Sequence, residues 1–299
     1  MLIVNPRAGS VSEPTREVIA KALSADLKLE VHETQAREHA IELAEDAVDR
    51  DFDVVLAFGG DGTINEVAQP LVGTEVALGI LPGGTTNVMA RSLGIPTDPV
   101  EATAFIASRL AEMSRRRIGV GKVNDRYFLF SCGIGLDAEV VKRVEEHDAK
   151  TGKKTEWTFL RHALAAGSTE YRTSAGWLTV KVGDEEPVRG MLSIACNSRP
   201  LTYFRRWPVE ACPLADLDAA LDLLVLRKVR ATTIPRIAWS VFRGGGHIRW
   251  KKTRYYHDVT EISWEVEGPA RPLQVDGDYI GPHTSARLTH HPGALALLI

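Results

Sequence analysis

Apolar residues open the chain in short blocks, and between the blocks apolar positions recur every three or four residues. Segments 2–4, 27–32, 53–58 and 76–81 read as strands bounded by turn residues. Segments 14–23, 36–48 and 64–71 carry helical periodicity, and in the second of them Ala40, Leu43, Ala44 and Ala47 share one face. Alternation at this spacing predicts βαβ units, hence a parallel sheet with ligand loops beyond the carboxyl ends of its strands. From about Arg115 the rhythm becomes strand-like, at 118–123, 127–131, 177–182, 188–196, 221–226, 261–266 and 286–289, with helical patterns only near 138–147 and 156–165. The expected organisation is an α/β domain over 1–115 and a β-rich domain over 116–299, the extreme C-terminus being free to pack back on the first.

Composition narrows the class. A length of 299 residues suits about two domains, and 44% hydrophobic with 25% charged residues is the balance of a folded globular chain. A net charge of −3 excludes a surface built wholly for nucleic acid. Cys132, Cys196 and Cys212 are odd in number and lack metal-ligand spacing, so neither a disulfide framework nor a zinc site is expected. No run approaches the 18 apolar residues of a membrane span. A cytoplasmic protein, soluble or peripheral to a membrane, is the expectation.

Three loops hold the candidate chemistry. Gly59-Gly60-Asp61-Gly62-Thr63-Ile64-Asn65-Glu66 follows the third strand and opens a helix. Glycine there lets main-chain N–H groups approach an anion, and the helix N-terminus adds partial positive charge. Asn5-Pro6-Arg7-Ala8-Gly9-Ser10 follows the first strand, and Pro82-Gly83-Gly84-Thr85-Thr86-Asn87 the fourth. Three such loops on one sheet edge point to nucleotide phosphate. Asp61 inside them serves a phosphate-bound Mg2+, polarises a hydroxyl or caps a helix.

These motifs resemble those of the diacylglycerol kinase catalytic-domain superfamily, which includes bacterial lipid kinases and sphingosine kinases. Val4 to Gly9 looks like its first motif, Gly59 to Thr63 its signature, and Pro82 to Asn87 with Ala90-Arg91 its third. Gly133-Ile134-Gly135-Leu136-Asp137-Ala138 and Val275-Asp276-Gly277-Asp278 match later motifs. The resemblance implies an NAD kinase-like and phosphofructokinase-like α/β domain, a mostly-β sandwich, and ATP in the cleft between them. It implies ATP contacts from Asn5, Pro6, Arg7, Gly9, Thr34, Gly59, Gly60, Asp61, Gly62, Thr63, Asn65, Glu66, Gly83, Gly84, Thr85 and Asn87. Thr34 could equally cap the helix expected from Ala36. Asp61, Asp276 and Asp278 become catalytic candidates, with Asp278 standing where the family carries a glutamate. Asp276-Gly277 is also a strong hairpin-turn signal in its own right. Asp218, beside Asp216 and Asp222, falls on the family's Mg2+ segment, where Ala219 replaces glycine; a solvated acidic turn is the alternative.

The implied activity is transfer of the γ-phosphoryl group of ATP to a lipid hydroxyl, diacylglycerol first among the acceptors. A soluble-substrate kinase of the NAD kinase type and a non-catalytic lipid-binding or nucleotide-binding relative are the alternatives. Charge patterning adds support for the lipid. Residues 223–257 contain nine Lys or Arg and no Asp or Glu, interleaved with Trp239, Phe242, Trp250, Tyr255 and Tyr256. That mixture suits anionic headgroups, so peripheral contact through 227–256 is expected, with no nucleic-acid partner and a homodimer admissible. A plain solvated basic face is the competing interpretation.

Overall fold

The computed structural model describes residues 1–25, 28–112, 114–151, 177–229 and 231–299. The helical pattern at 156–165 lies outside them. The chain forms two compact units, Met1–Val120 with Pro292–Ile299, and Gly121–His291. The reading from sequence placed the change between 115 and 116.

Unit 1 is a parallel sheet with helices. Strands β1 (Leu2–Val4), β2 (Val31–Glu33), β3 (Val54–Gly59) and β4 (Ala77–Pro82) pair in the order β2-β1-β3-β4. Every residue of β3 and β4 is buried, as expected of central parallel strands covered on both faces. Helices α1 (Glu13–Ser24), α2 (His39–Asp49), α3 (Asp61–Leu71), α4 (Val88–Ser92) and α5 (Pro99–Glu112) complete the unit. Helix α2 begins three residues later than the periodicity predicted, because Glu38 adopts φ 68°, a left-handed conformation that stops the helix there. Strand β5 (Arg115–Val123) leaves the unit and β18 (Ser285–Leu298) returns to it. Leu297 of β18 pairs in parallel with Leu78, and the Ser114 hydroxyl donates to the carbonyl of Ile299 at 2.7 Å. The final residues are therefore built into the first unit's sheet.

Unit 2 is a sandwich. One sheet is antiparallel in the order β14 (Thr253–Val259), β13 (Leu221–Leu226), β10 (Leu192–Cys196), β7 (Ser131–Gly135), β16 (Arg271–Val275), β17 (Asp278–His283). The other contains β8 (Leu178–Val182), β9 (Val188–Gly190), β15 (Glu261–Val266) and the first part of β18, with β6 (Arg126–Phe128) beside β5. Leu221, Leu223 and Val225 of β13 meet Val180, Ile262, Trp264 and Leu288 between the sheets. The alternate residues Leu224 and Leu226 point the other way, toward Cys212, Val229 and the helix α7 (Ile234–Phe242). A short hairpin, β11 (Thr202–Phe204) with β12 (Trp207–Val209), and helix α6 (Leu136–Thr151) complete the described elements. Strands β14, β16 and β17 escaped the periodicity because charged residues, Pro272 and Pro282 interrupt their apolar alternation.

Trp264 is fully buried between the sheets. Its replacement by Ala should lower the unfolding free energy by about 3–5 kcal/mol in urea titration, and a loss under about 1 kcal/mol would contradict the sandwich core.

Candidate functional site

The carboxyl ends of β1, β3 and β4 bring the three glycine-bearing loops into contact. Gly59 pairs with Pro82 in register, and the Gly83 N–H donates to the Gly59 carbonyl at 2.7 Å. Beyond the strands the two main chains still touch: a Cβ on Gly84 would lie 2.7 Å from the Gly60 Cα, and one on Gly83 would lie 3.1 Å from the Gly59 Cα. The first loop joins them through Ser10, whose N–H donates to the Gly83 carbonyl at 2.8 Å, and Asn5, whose Nδ2 donates to the Thr63 hydroxyl at 2.8 Å. Glycine at 83 and 84 is thus required by the approach of two backbones.

Asp61 locks this contact. Its Oδ2 accepts the Val88 N–H at 2.9 Å and its Oδ1 the Met89 N–H at 3.1 Å, so it closes the N-terminus of α4, the next helix along, not its own. Helix α3 starts instead at Gly60, which offers no side chain as a cap. Its first N–H groups have no intrahelical partner by geometry, and no side chain caps them. One helix end at this rim is closed by a carboxylate, and the other has no side-chain cap.

Most of the side chains that the resemblance assigned to ATP serve the loops themselves. Asn87 accepts the Gly84 N–H at 2.8 Å and donates to its carbonyl at 2.9 Å. Asn65 is buried against Gln69, and Glu66 accepts the Glu38 N–H at 3.0 Å. Thr34 is buried and extends the β1–β2 pairing through its N–H to Val4. It does not cap α2, whose N-cap is Glu38. Pro6, Arg7, Gly9 and Thr85 are exposed on the loops, and among the described residues the Arg7 guanidinium has no partner.

In unit 2 the late acidic motif is a two-residue hairpin. Val275 pairs with Asp278, and Asp276 and Gly277 between them have φ 49° and 82°, a primed turn. The two aspartates have opposite fates. Asp276 is buried, and its carboxylate accepts three main-chain N–H groups, from Leu129 at 2.7 Å and from Phe130 and Ser131 at 2.9 Å. Asp278 is half-buried, and among the described residues its carboxylate has no partner. Three further groups, given no role in the sequence reading, hold the turn. Gln274 accepts the Gly277 N–H at 2.9 Å and donates to Asp137 at 2.8 Å, while Glu145 accepts the Tyr279 N–H at 2.7 Å. Gly133 leaves room for Asp137, whose Oδ2 would lie 2.1 Å from a Cβ there.

The acidic segment before β13 does not converge. Asp222 is fully buried and accepts from the Tyr255 hydroxyl and the Asp258 N–H, with His257 Nδ1 at 2.6 Å. Asp216 accepts the Asp218 N–H at 3.0 Å within its own turn, and Asp218 is exposed. Ala219 is not among the residues with positive φ, so alanine is unstrained there. Among the described residues no group of three or more His, Cys, Asp or Glu side chains is placed to hold a metal. The oxygen donors of Asp216 and Asp218 are of the type Mg2+ takes, but they are few.

The basic stretch divides. Arg227, Lys228, Lys251 and Lys252, with Arg189 and Trp177, line a concavity of about 360 Å³. Tyr255 is turned inward to Asp222, and burial raises its phenol well above the usual range. Trp239 and Phe242 are exposed on α7. Among the described residues no helix is long and apolar enough to cross a membrane.

The family model for the diacylglycerol kinase catalytic domain matches residues 1–123. A protein of Chromohalobacter salexigens named "probable lipid kinase YegS-like" is 35% identical over 310 aligned positions, covering 99% of this chain and 91% of that protein. The diacylglycerol kinase of Bacillus subtilis is 29% identical over 289 residues, 94% of this chain and 89% of its own. Among solved structures, a diacylglycerol kinase from Bacillus anthracis superposes with TM-score 0.74 at 22% identity, covering 99% of this chain and 95% of that one. An NAD kinase from Archaeoglobus fulgidus in complex with ATP gives TM-score 0.51 at 13% identity, over 100% and 92% of the two chains. Both structural likenesses show the fold alone.

The hairpin's carboxylates give two expectations. Replacing Asp276 by Asn should cost about 1–3 kcal/mol of stability, because at least one buried N–H loses its acceptor, while Asp278→Asn should leave the melting midpoint unchanged. Equal midpoints for the two variants in a thermal melt would contradict the assignment. Burial raises the Asp137 carboxyl from 3.8 to about 6, against the opposing hydrogen bond from Gln274. The native state therefore holds this proton more tightly than the unfolded chain. Its contribution to stability is complete below about pH 4 and is lost as pH rises through about 6, a fall on the order of 3 kcal/mol. Unfolding free energies at pH 4, 5, 6 and 7 should show that slope in the wild type and a flatter one in Asp137→Asn; parallel profiles would contradict it.

Proposed function

Because the chain belongs to the diacylglycerol kinase catalytic-domain superfamily and is a lipid kinase by family, we propose that it phosphorylates diacylglycerol to phosphatidic acid from ATP. In this reading Asp278 accepts the proton of the acceptor hydroxyl. The reading also places the protein at an anionic membrane surface, met by residues 227–256.

The carrying observation is the division of labour between the two hairpin aspartates. A general base needs a carboxylate with a free lone pair and a fixed position. Asp276 has three main-chain donors on it, whereas Asp278 follows directly on a turn fixed by Gln274 and Glu145 and stands without a partner among the described residues. This difference between the two carboxylates supports Asp278 as the proton acceptor.

Unit 1 supports the nucleotide. The uncapped first turn of α3 and the glycine main chain around it offer N–H donors with no Cβ in the way, which suits a polyphosphate. Arg7 adds a cation that can orient a phosphate oxygen. ATP, when bound with Mg2+, supplies the phosphoryl group and the cation that neutralises its developing charge. Mg2+ on ATP draws its ligands mainly from phosphate oxygens and water. Asp61, with both oxygens held by α4, contributes negative charge and loop geometry there, not a free donor.

Labelled ATP, Mg2+ and mixed micelles carrying diacylglycerol, monoacylglycerol, a sphingoid base or phosphatidylglycerol, with NAD as a soluble acceptor, test the reading. The label is expected chiefly in phosphatidic acid. Asp278→Asn should lower kcat about 10²–10⁴-fold with ATP affinity unchanged, and Asp278→Glu should restore part of it. Label in NAD alone, or full turnover by Asp278→Asn, would contradict the proposal.

A further inference from the structure

Unit 2 exposes aromatic side chains where a monomer in water gains nothing from them. Trp239 is 64% exposed, Trp207 61% and Phe242 40%. Isolated exposed apolar residues are ordinary, but three large ones on neighbouring elements are not. Trp239 and Phe242 stand three positions apart on α7 and so share a face, and in that nine-residue helix only Ser240 is buried. The β11–β12 hairpin lies against the same helix: the Phe204 and Phe242 rings meet edge to face at 6.2 Å, and the Glu210 N–H donates to the Val241 carbonyl at 2.9 Å. Trp207 pairs with Phe204 across the hairpin, and Arg205 and Arg206 form its tip.

Within the segments that carry these rings the charges are of one sign, Glu210 following directly after the hairpin. Segments 199–209 and 223–257 contain no Asp or Glu. Just past α7 the Arg243 guanidinium lies 4.6 Å over the Trp239 ring, and on α7 Arg236 lies 4.4 Å over Trp250, next to the Lys251 and Lys252 of the basic concavity. Rings with arginine guanidinium groups over them form the pattern of an interfacial element, apolar body inward and cation at headgroup depth.

We infer that the β11–β12 hairpin and α7 together form the element that seats this protein in an anionic phospholipid bilayer, Trp207, Trp239 and Phe242 entering the interface while Arg205, Arg206 and Arg243 meet lipid phosphates. The inference deepens the lipid-kinase reading and rests on it for the nature of the surface. It adds the hairpin, which lies outside the 227–256 stretch. A second copy of the chain is a poorer occupant, because a two-fold contact would set this arginine-bearing face against itself.

Cosedimentation with vesicles of phosphatidylcholine alone, or with phosphatidylglycerol added, tests it on the full chain. The wild type should bind the anionic vesicles and release from them as salt rises. The exposed triple variant Trp207→Ala, Trp239→Ala, Phe242→Ala should bind at least about tenfold less, and Arg205→Glu with Arg206→Glu should lose the preference for anionic lipid. Phosphorylation of a short-chain acceptor dissolved in detergent should be unchanged in both variants. Brominated lipids should quench wild-type tryptophan fluorescence and quench the Trp207→Phe, Trp239→Phe variant less. Failure of every lipid to be phosphorylated, with vesicle binding still dependent on these residues, would refute the kinase reading and uphold the docking surface. Vesicle binding unaffected by the triple variant, equal binding to neutral vesicles, or a triple variant altered only in oligomeric mass would overturn it.

Discussion

Two peptide chains without side chains between them set the geometry on which unit 1 depends. Where β3 and β4 end, Gly60 and Gly84 approach so closely that a single Cβ would collide, and the Asp61 carboxylate keeps them there by holding the first N–H groups of α4. A carboxylate among loops proposed to bind phosphate looks at first like an electrostatic error. As an acceptor for two main-chain donors, it instead neutralises the N-terminus of α4, while the end of α3 has no side-chain cap. Rigid, bare main chain is what such a site requires, because preorganised dipoles need not reorient when the charge arrives.

Unit 2 repeats the device. Asp276 ties its hairpin to three consecutive N–H groups, and Gln274 links the same turn to Asp137. An acidic residue whose oxygens are all engaged positions its neighbour, and the neighbour keeps its lone pairs. In both motifs the acid that stands out in the sequence turns out to be a strut. The candidates for direct contact with nucleotide or acceptor, Arg7 and Asp278, are exposed and half-buried respectively.

The sequence made the architecture and the location of the loops legible, since buried parallel strands ending in glycine leave a local signal at 54–59 and 77–82. It could not show which N–H a carboxylate accepts. The donors to Asp61 lie 27 and 28 positions away and those to Asp276 more than 140, and no local pattern encodes such partners. Helix α4 and the edge strand β17 were missed because five residues are too few for a period and proline breaks the alternation. The aromatic hairpin was overlooked for a different reason. Burial decides whether Trp207 is core or surface, and Trp-Pro-Val reads alike in either place.

The central claim is that contact between the two glycine main chains builds the nucleotide grip. Calorimetric titration of ATP with Mg2+ into the Gly84→Ala variant tests it most directly, with a thermal melt confirming that the variant remains folded. An added methyl must part the loops, so affinity is expected to fall at least about tenfold relative to wild type. Unchanged affinity in a folded variant would contradict the account.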